Sequence, residues 1–228
     1  MPSTLFTTCK QIVLLGGAMV SDGLLDEVLG LGGPVVAADS GAAHAFRRNI
    51  MPEAVIGDMD SLNPEHRARI AAERLHRITE QDSTDFDKAL RHIEAPLVIG
   101  AGFSGTRADH ALAAYTVLTR HPDRRCILVG EEEAVFLCPP EFAVTPQLGS
   151  WLSLYPLGQV SGTSEGLQWP IDGLVFAPDH RVGTSNRVTG PVRLKIAAPL
   201  MLVIMPRAEL SEVVPALAAA PARWPVRA

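Results

Sequence analysis

Two acidic clusters, Gly57-Asp58-Met59-Asp60-Ser61 and Gln81-Asp82-Ser83-Thr84-Asp85-Phe86-Asp87-Lys88, stand within one stretch from Val55 to Leu90. Each lies at the boundary of a predicted element, where side chains from distant parts of a chain can converge. Converging carboxylates repel. At ~4 Å and an effective dielectric of ~20, each pair costs on the order of 4 kcal/mol. Such a group persists if a divalent cation sits among it, or if some members protonate or turn away. An all-oxygen donor set suits Mg²⁺, so the first expectation is a Mg²⁺ site that handles phosphates. Plainer readings exist for each cluster alone. Gly57-Asp58 is also a common turn dipeptide. The second cluster is also a helix start, with Asp82, Ser83 or Thr84 as N-cap and acids favoured by the helix dipole.

A third polar loop, Gly102-Phe103-Ser104-Gly105-Thr106-Arg107-Ala108-Asp109-His110, strengthens the phosphate reading. Its glycines let backbone N–H groups approach an anion at the start of a helix. Arg107 offers a planar fork for phosphate oxygens. A glycine loop alone is weak evidence. The three segments in this order are more specific.

Strands must deliver these loops to one place. Gln11–Leu15, Pro34–Ala38, Ala54–Ile56, Leu97–Ile99 and Cys126–Val129 read as short buried strands, with a further short strand at Arg77–Thr79. Helical spacing covers Asp22–Leu31, Ala42–Arg48, Pro64–Arg74, Thr84–Ile93 and Asp109–Thr119. Alternation of this kind predicts a parallel α/β sheet, which binds ligands beyond its C-terminal strand ends. Asp39, Asp58 and the Gly102 loop all fall at such ends. From Ala134 the pattern changes to short strands punctuated by Gly and Pro, including Trp151–Pro156, Gly173–Phe176, Val192–Ile196 and Leu200–Ile204. That predicts an antiparallel β-sandwich or small barrel. Glu209–Ala220 reads as a short helix, and 223–228 as loosely held. The expected organisation is an α/β domain over residues 1–133, an all-β sandwich domain over 134–208 and a tail over 209–228.

The 228 residues are 47% hydrophobic and 20% charged with net charge -5, enough apolar content for one large or two small domains. The mild acidity argues against a nucleic-acid partner. Cys9, Cys126 and Cys138 form no CxxC pair, so they are expected reduced, in the cytoplasm. Met1–Thr8 lacks the basic start of a signal peptide. The apolar run Ile196–Met205 contains Pro199 and is too short to span a bilayer, so no membrane role is expected.

Taken together, Ala38-Asp39-Ser40-Gly41-Ala42, Gly57-Asp58-Met59-Asp60-Ser61, Asp82-Ser83-Thr84-Asp85-Phe86-Asp87-Lys88-Ala89-Leu90 and Gly105-Thr106-Arg107-Ala108-Asp109-His110 resemble the ordered motifs of thiamine pyrophosphokinases. The resemblance continues in Gly166-Leu167-Gln168-Trp169-Pro170-Ile171 and Gly183-Thr184-Ser185-Asn186. It spans roughly Val13 to Ile204. It departs at Ser40 and Thr106, where the family usually has Gly, and at Ala114, where Asn is frequent. The first two put a side chain where backbone would approach a ligand.

The resemblance implies an α/β catalytic domain that binds ATP and Mg²⁺, a β-sandwich that binds thiamine, and a homodimer with active sites at the subunit interface. ATP and thiamine would give AMP and thiamine diphosphate, by in-line attack of the thiamine hydroxyl on the β-phosphorus. Asp58, Asp60 and Asp82 would hold Mg²⁺, with Asp85 beside them. Asp39 either orients the metal's waters or accepts the hydroxyl proton. Arg107 would stabilise phosphate charge. Lys88 either joins it or lies on an exposed helix face. Thr84, Gly102 and Gly105 would meet nucleotide or phosphate. Asp109 either bonds a ribose hydroxyl or fixes Arg107, while His110 is either structural or a general base. Trp169 would be an aromatic plate for the flat ring, or else a core residue; nearby carboxylates would suit the thiazolium cation. Ser185 would hydrogen-bond thiamine, and Asn186 would hold the turn. Trp151 is expected in the core, and Trp224 at a packing or surface position. The alternatives are a pyrophosphokinase of the same fold for another heterocyclic alcohol of the hydroxymethyl-pterin type, a catalytically silent nucleotide- or thiamine-binding regulator, and a metal-dependent phosphohydrolase.

Overall fold

The computed structural model of the chain describes residues 4–105 and 107–227. The chain divides into two compact units, one comprising residues 1–117 and 128–131, the other residues 118–127 and 132–228.

The first unit holds β1 (Phe6–Thr7), β2 (Ile12–Leu15), α1 (Asp22–Gly30), β3 (Val35–Ala38), α2 (Ala42–Arg47), β4 (Ala54–Gly57), α3 (Pro64–Arg69), β5 (Leu75–Arg77), α4 (Asp85–His92), β6 (Ile93–Glu94) and β7 (Val98–Ala101). It also holds most of α5 (Ala108–Arg120) and the end of β8 (Cys126–Val129). Strands β2, β3, β4 and β7 are buried along their whole length. Unbroken apolar runs of this kind belong to parallel strands covered on both faces. They pair in parallel in the order β7-β2-β3-β4-β5. The chain leaves β2 in one direction through β3, β4 and β5, then returns to β2's other edge with β7. A reversal of this kind opens a crevice at the C-terminal strand ends. The separate pair β1–β6 is also parallel.

The helix expected over Pro64–Arg74 stops at Arg69. Ile70 turns to an extended backbone and buries its side chain with Phe46, Val55 and Leu62. Leu75 packs on the same cluster, so the strand begins there rather than at Arg77.

The second unit holds β9 (Glu133–Leu137), β10 (Glu141–Val144), β11 (Trp151–Pro156), β12 (Val160–Leu167), β13 (Val175–Phe176), β14 (Gly183–Ile196), β15 (Met201–Pro206) and α6 (Leu210–Ala218). All the pairings among these strands are antiparallel. The 14-residue β14 pairs with β10, β11 and β12. Residues 209–220 and the segment beyond them belong to this unit. Helix α6 packs on β10, and Arg125 donates to the carbonyls of Ala218 and Ala220. The last residues are tied down rather than loose: Trp224 donates its indole N–H to Cys138 O, and Arg227 bonds Thr119 O. Trp151 is no core residue; it is 37% exposed.

Candidate active site

The carboxylates come from the ends of neighbouring parallel strands. Asp39 follows β3, and Asp58 and Asp60 follow β4. Oxygens of the three lie within 4.8 Å of one another. Asp39 is 1% exposed, and among the described residues neither of its carboxylate oxygens has a partner within hydrogen-bond geometry. It also holds the left-handed region at φ 44°, which Asp tolerates better than most residues. Two hydrogen bonds stabilise the β4 loop: Asp60 N–H donates to Asp58 Oδ1, and Ser61 Oγ donates to Asp60 Oδ1. Met59 takes φ 67° and buries its side chain in the cluster with Phe46, Val55 and Leu62.

Helix α4 contributes from its first turn. Thr84 is the N-cap, accepting from Asp87 N–H at 3.2 Å. Asp85 and Lys88, one helical turn apart, point to the β4 end. Lys88 Nζ lies 2.7 Å from Asp58 Oδ2 and 3.3 Å from Asp85 Oδ1, and the lysine is only 2% exposed. The exposed-face reading of Lys88 is therefore set aside. Gly57 makes this closeness possible: a Cβ there would lie 2.9 Å from Asp39 Cβ and 3.3 Å from Asp85 Oδ1.

The electrostatics follow from this packing. The hydrogen bond from Lys88 holds Asp58 down at about 2. Burial, with the charge of Asp85 nearby, pushes Asp39 up to about 6. Burial also raises Asp85, although Lys88 pulls it the other way. Burial disfavours the Lys88 ammonium, but Asp58 and Asp85 more than offset this and its pKa rises.

The gathered metal-type set differs from the one expected. Asp82 is not in it; Asp39 is. Asp82 sits two residues ahead of the α4 N-cap, in an exposed bend outside the helix turn that aims Asp85 and Lys88. The family resemblance gives Asp39 the role of orienting the metal's waters or accepting the hydroxyl proton, not that of a ligand. Its position at a strand end, like that of Asp58, is the signal for a ligand.

The glycine loop after β7 is held against the loop after β2. Gly16 N–H bonds Ala101 O, and Ala18 N–H bonds Gly102 O. Gly102 takes φ 82°, and a Cβ there would meet Gly16 O at 2.5 Å. His44, a residue the motifs do not single out, lies with Nε2 2.9 Å from Ala18 O and fixes the same loop from α2. Ser40 has its Oγ where a Cβ on Gly17 would fall, so its side chain fills space vacated by a glycine in the neighbouring loop. Ala114 is buried in α5, and Thr106 lies outside the described residues. Arg107 and Asp109 form an exposed two-bond pair at 2.6 and 3.2 Å, which holds Asp109 at about 2. Gly105 is exposed with Ala18 as its near neighbour.

In the second unit, Trp169 is 56% exposed, which sets aside its core reading. Its backbone is clamped by Asn186: Trp169 N–H donates to Asn186 Oδ1 at 3.1 Å, and Asn186 Nδ2 donates to Trp169 O at 2.7 Å. Ser185 takes φ 57°, with its N–H bonded to Ser153 Oγ. A cleft of about 210 Å³ opens beside Trp169, lined also by Ile171, Phe176, Arg181 and Thr184. No carboxylate lines this cleft among the described residues, so the expected acid beside the cation is not supplied there.

Comparison with known proteins bears on both units. Residues 33–129 match the thiamin pyrophosphokinase catalytic domain, and residues 141–201 match the thiamin pyrophosphokinase vitamin B1 binding domain. Thiamine pyrophosphokinase 1 of Oryza sativa subsp. japonica is 28% identical over 187 residues, covering 67% of this chain and 71% of its own. Thiamine pyrophosphokinase 1 of Arabidopsis thaliana is 28% identical over 165 residues, covering 64% of this chain and 62% of its own. Among solved structures, thiamine pyrophosphokinase from Bacillus subtilis aligns with TM-score 0.71 at 22% identity, covering 86% of this chain and 99% of its own. Thiamin pyrophosphokinase from Candida albicans aligns with TM-score 0.72 at 13% identity, covering 90% and 93%. At those identities the structures speak for the fold alone. No described helix is long and apolar enough to cross a membrane. With both domain families matched in order over more than half of its length, the chain belongs to the thiamin pyrophosphokinase family.

Proposed function

We infer that this chain transfers the diphosphate of ATP to the hydroxyl of thiamine, giving thiamine diphosphate and AMP. The observation that carries the reading is the meeting of Asp39, Asp58 and Asp60 at adjacent strand ends, inside the segment matched to the catalytic domain. The donor set suits a hard cation. All the donors are carboxylate oxygens, and the buried Asp39 carboxylate has no partner within hydrogen-bond geometry among the described residues. Asp39, Asp58 and Asp60 would hold Mg²⁺, with Asp85 next to them and Asp82 at the rim. Bound there, Mg²⁺ supplies charge neutralisation for the diphosphate being transferred. Lys88 orients Asp58. The Gly102–Gly105 loop, braced by Ala18, offers backbone N–H groups to phosphate, and Arg107 joins it on leaving Asp109. Thr84 stands at the N-terminus of α4, where an anion is favoured.

In the second unit, taken as a β-sandwich, Trp169 presents a ring face to thiamine, and Asn186 fixes the backbone that carries it. Ser185 bonds the substrate. The active form is a cytoplasmic homodimer with its active sites at the subunit interface. The test is to incubate the protein with ATP, Mg²⁺ and thiamine and to measure AMP and thiamine diphosphate together. Equal amounts of both are expected. AMP formed only with a hydroxymethyl-pterin acceptor, or phosphate released without any acceptor, would overturn the reading.

A further inference from the structure

The chain has three lysines, and two of them, Lys10 and Lys195, are exposed. Lys88 is buried, with its ammonium against Asp58 and Asp85. A buried ammonium without partners is costly, and so is a group of gathered carboxylates without a cation. Each resolves the other's cost. An ammonium fits this place because it is a compact point charge with donors in several directions, whereas a guanidinium is a planar fork. Gly57 leaves room for Asp39 and Asp85 to crowd the same spot, so the repulsion Lys88 offsets involves more than its direct partners. Lys88 touches one oxygen of Asp58, whose carboxylate has a second.

We propose that Lys88 is a positioning residue, a resident counter-cation that keeps the Asp39, Asp58, Asp60 and Asp85 carboxylates gathered before Mg²⁺ arrives. The inference rests on the reading of these acids as a cation site and adds to it the state of that site without metal. It is separate from any contact between Lys88 and phosphate. A metal ion then enters a site already assembled, at the cost of some affinity, because it meets a positive charge already in place.

The experiment needs neither nucleotide nor thiamine. Thermal melts of the wild type, Lys88→Gln and Lys88→Met are compared in EDTA and in millimolar MgCl₂, with Mg²⁺ affinity measured by calorimetry. Both variants should melt well below the wild type in EDTA and recover at least half of that gap with Mg²⁺. Their Mg²⁺ dissociation constant should be about tenfold lower, since a like charge has been removed. Folding only with Mg²⁺ present would be the extreme form of the same result. A gap of equal size with and without Mg²⁺, or variants unfolded in both, would overturn the proposal and leave Lys88 a packing residue. A wild type whose melt and calorimetry do not respond to Mg²⁺ would instead overturn the cation site itself.

Discussion

Asn186 grips the backbone of Trp169 at both polar groups, although the two residues are 17 positions apart. The same Oδ1 also accepts from Arg187 N–H. Asn186→Ala would leave these groups without that partner in a partly buried setting. It should destabilise the protein by about 1–3 kcal/mol in chemical denaturation and raise the thiamine KM along with it. A thiamine KM unchanged in folded protein would separate the clamp from the substrate.

Trp169→Ala tests the plate directly. As the proposed plate, the ring would contact thiamine equally in ground and transition states, so thiamine KM should rise about tenfold or more with kcat little changed. An effect confined to ATP KM would refute the assignment.

Asp58→Asn removes the charge of a proposed metal ligand and of a partner of Lys88. Turnover should fall at least about 100-fold while circular dichroism shows a folded protein. Unchanged turnover would remove Asp58 from the site.

Gly57→Ala places a methyl group 2.9 Å from Asp39 Cβ, which cannot swing aside as a side-chain tip would. The protein should fold, but Mg²⁺ binding by calorimetry should weaken several-fold. Wild-type affinity would mean that the carboxylates are less tightly placed than this spacing implies.

Acid should weaken the metal site through Asp39. Its folded pKa of about 6 lies above the ordinary aspartate value of 3.8, so the metal-free folded state holds this proton more tightly than the unfolded chain does. Its contribution to metal-free stability therefore falls as pH rises from about 4 to 6. A cation must displace the proton. Mg²⁺ affinity should be level above pH ~7 and drop about tenfold per pH unit below ~6. Asp58, held at about 2, does not titrate in that window. Asp39→Asn should bind more weakly throughout and lose the pH slope.

The parallel half of the fold is legible because β2, β3, β4 and β7 are short apolar runs, each ended by a Gly or an acid, whereas β5, Leu-His-Arg, carries no such signal. The antiparallel half is less so. β12, Val-Ser-Gly-Thr-Ser-Glu-Gly-Leu, buries few of its residues, and the sequence pattern does not predict it, nor β10 and the first half of β14. Glycines in β12 serve close backbone approach: a Cβ on Gly162 would meet Lys195 O at 2.5 Å, and Gly166 takes φ 75° where the register shifts. Nothing in local hydrophobicity encodes such contacts. In the site, Asp58, Asp60 and Asp85 can be read from their places at element ends. That Asp39 rather than Asp82 joins the trio depends on where the backbone turns before α4, which spacing along the chain does not determine.

Strand β14 is bonded along its length to β10, β11 and β12, and it carries Ser185 and Asn186. A strand with so many distant partners cannot detach by itself; freeing it dismantles several ladders at once. Amide protons near Ser185 and Asn186 should therefore exchange with solvent only as slowly as the whole unit opens. The surface that Ser185 and Asn186 form is thus as durable as the body it belongs to, and its refinement during evolution is bound to the refinement of that body's interior.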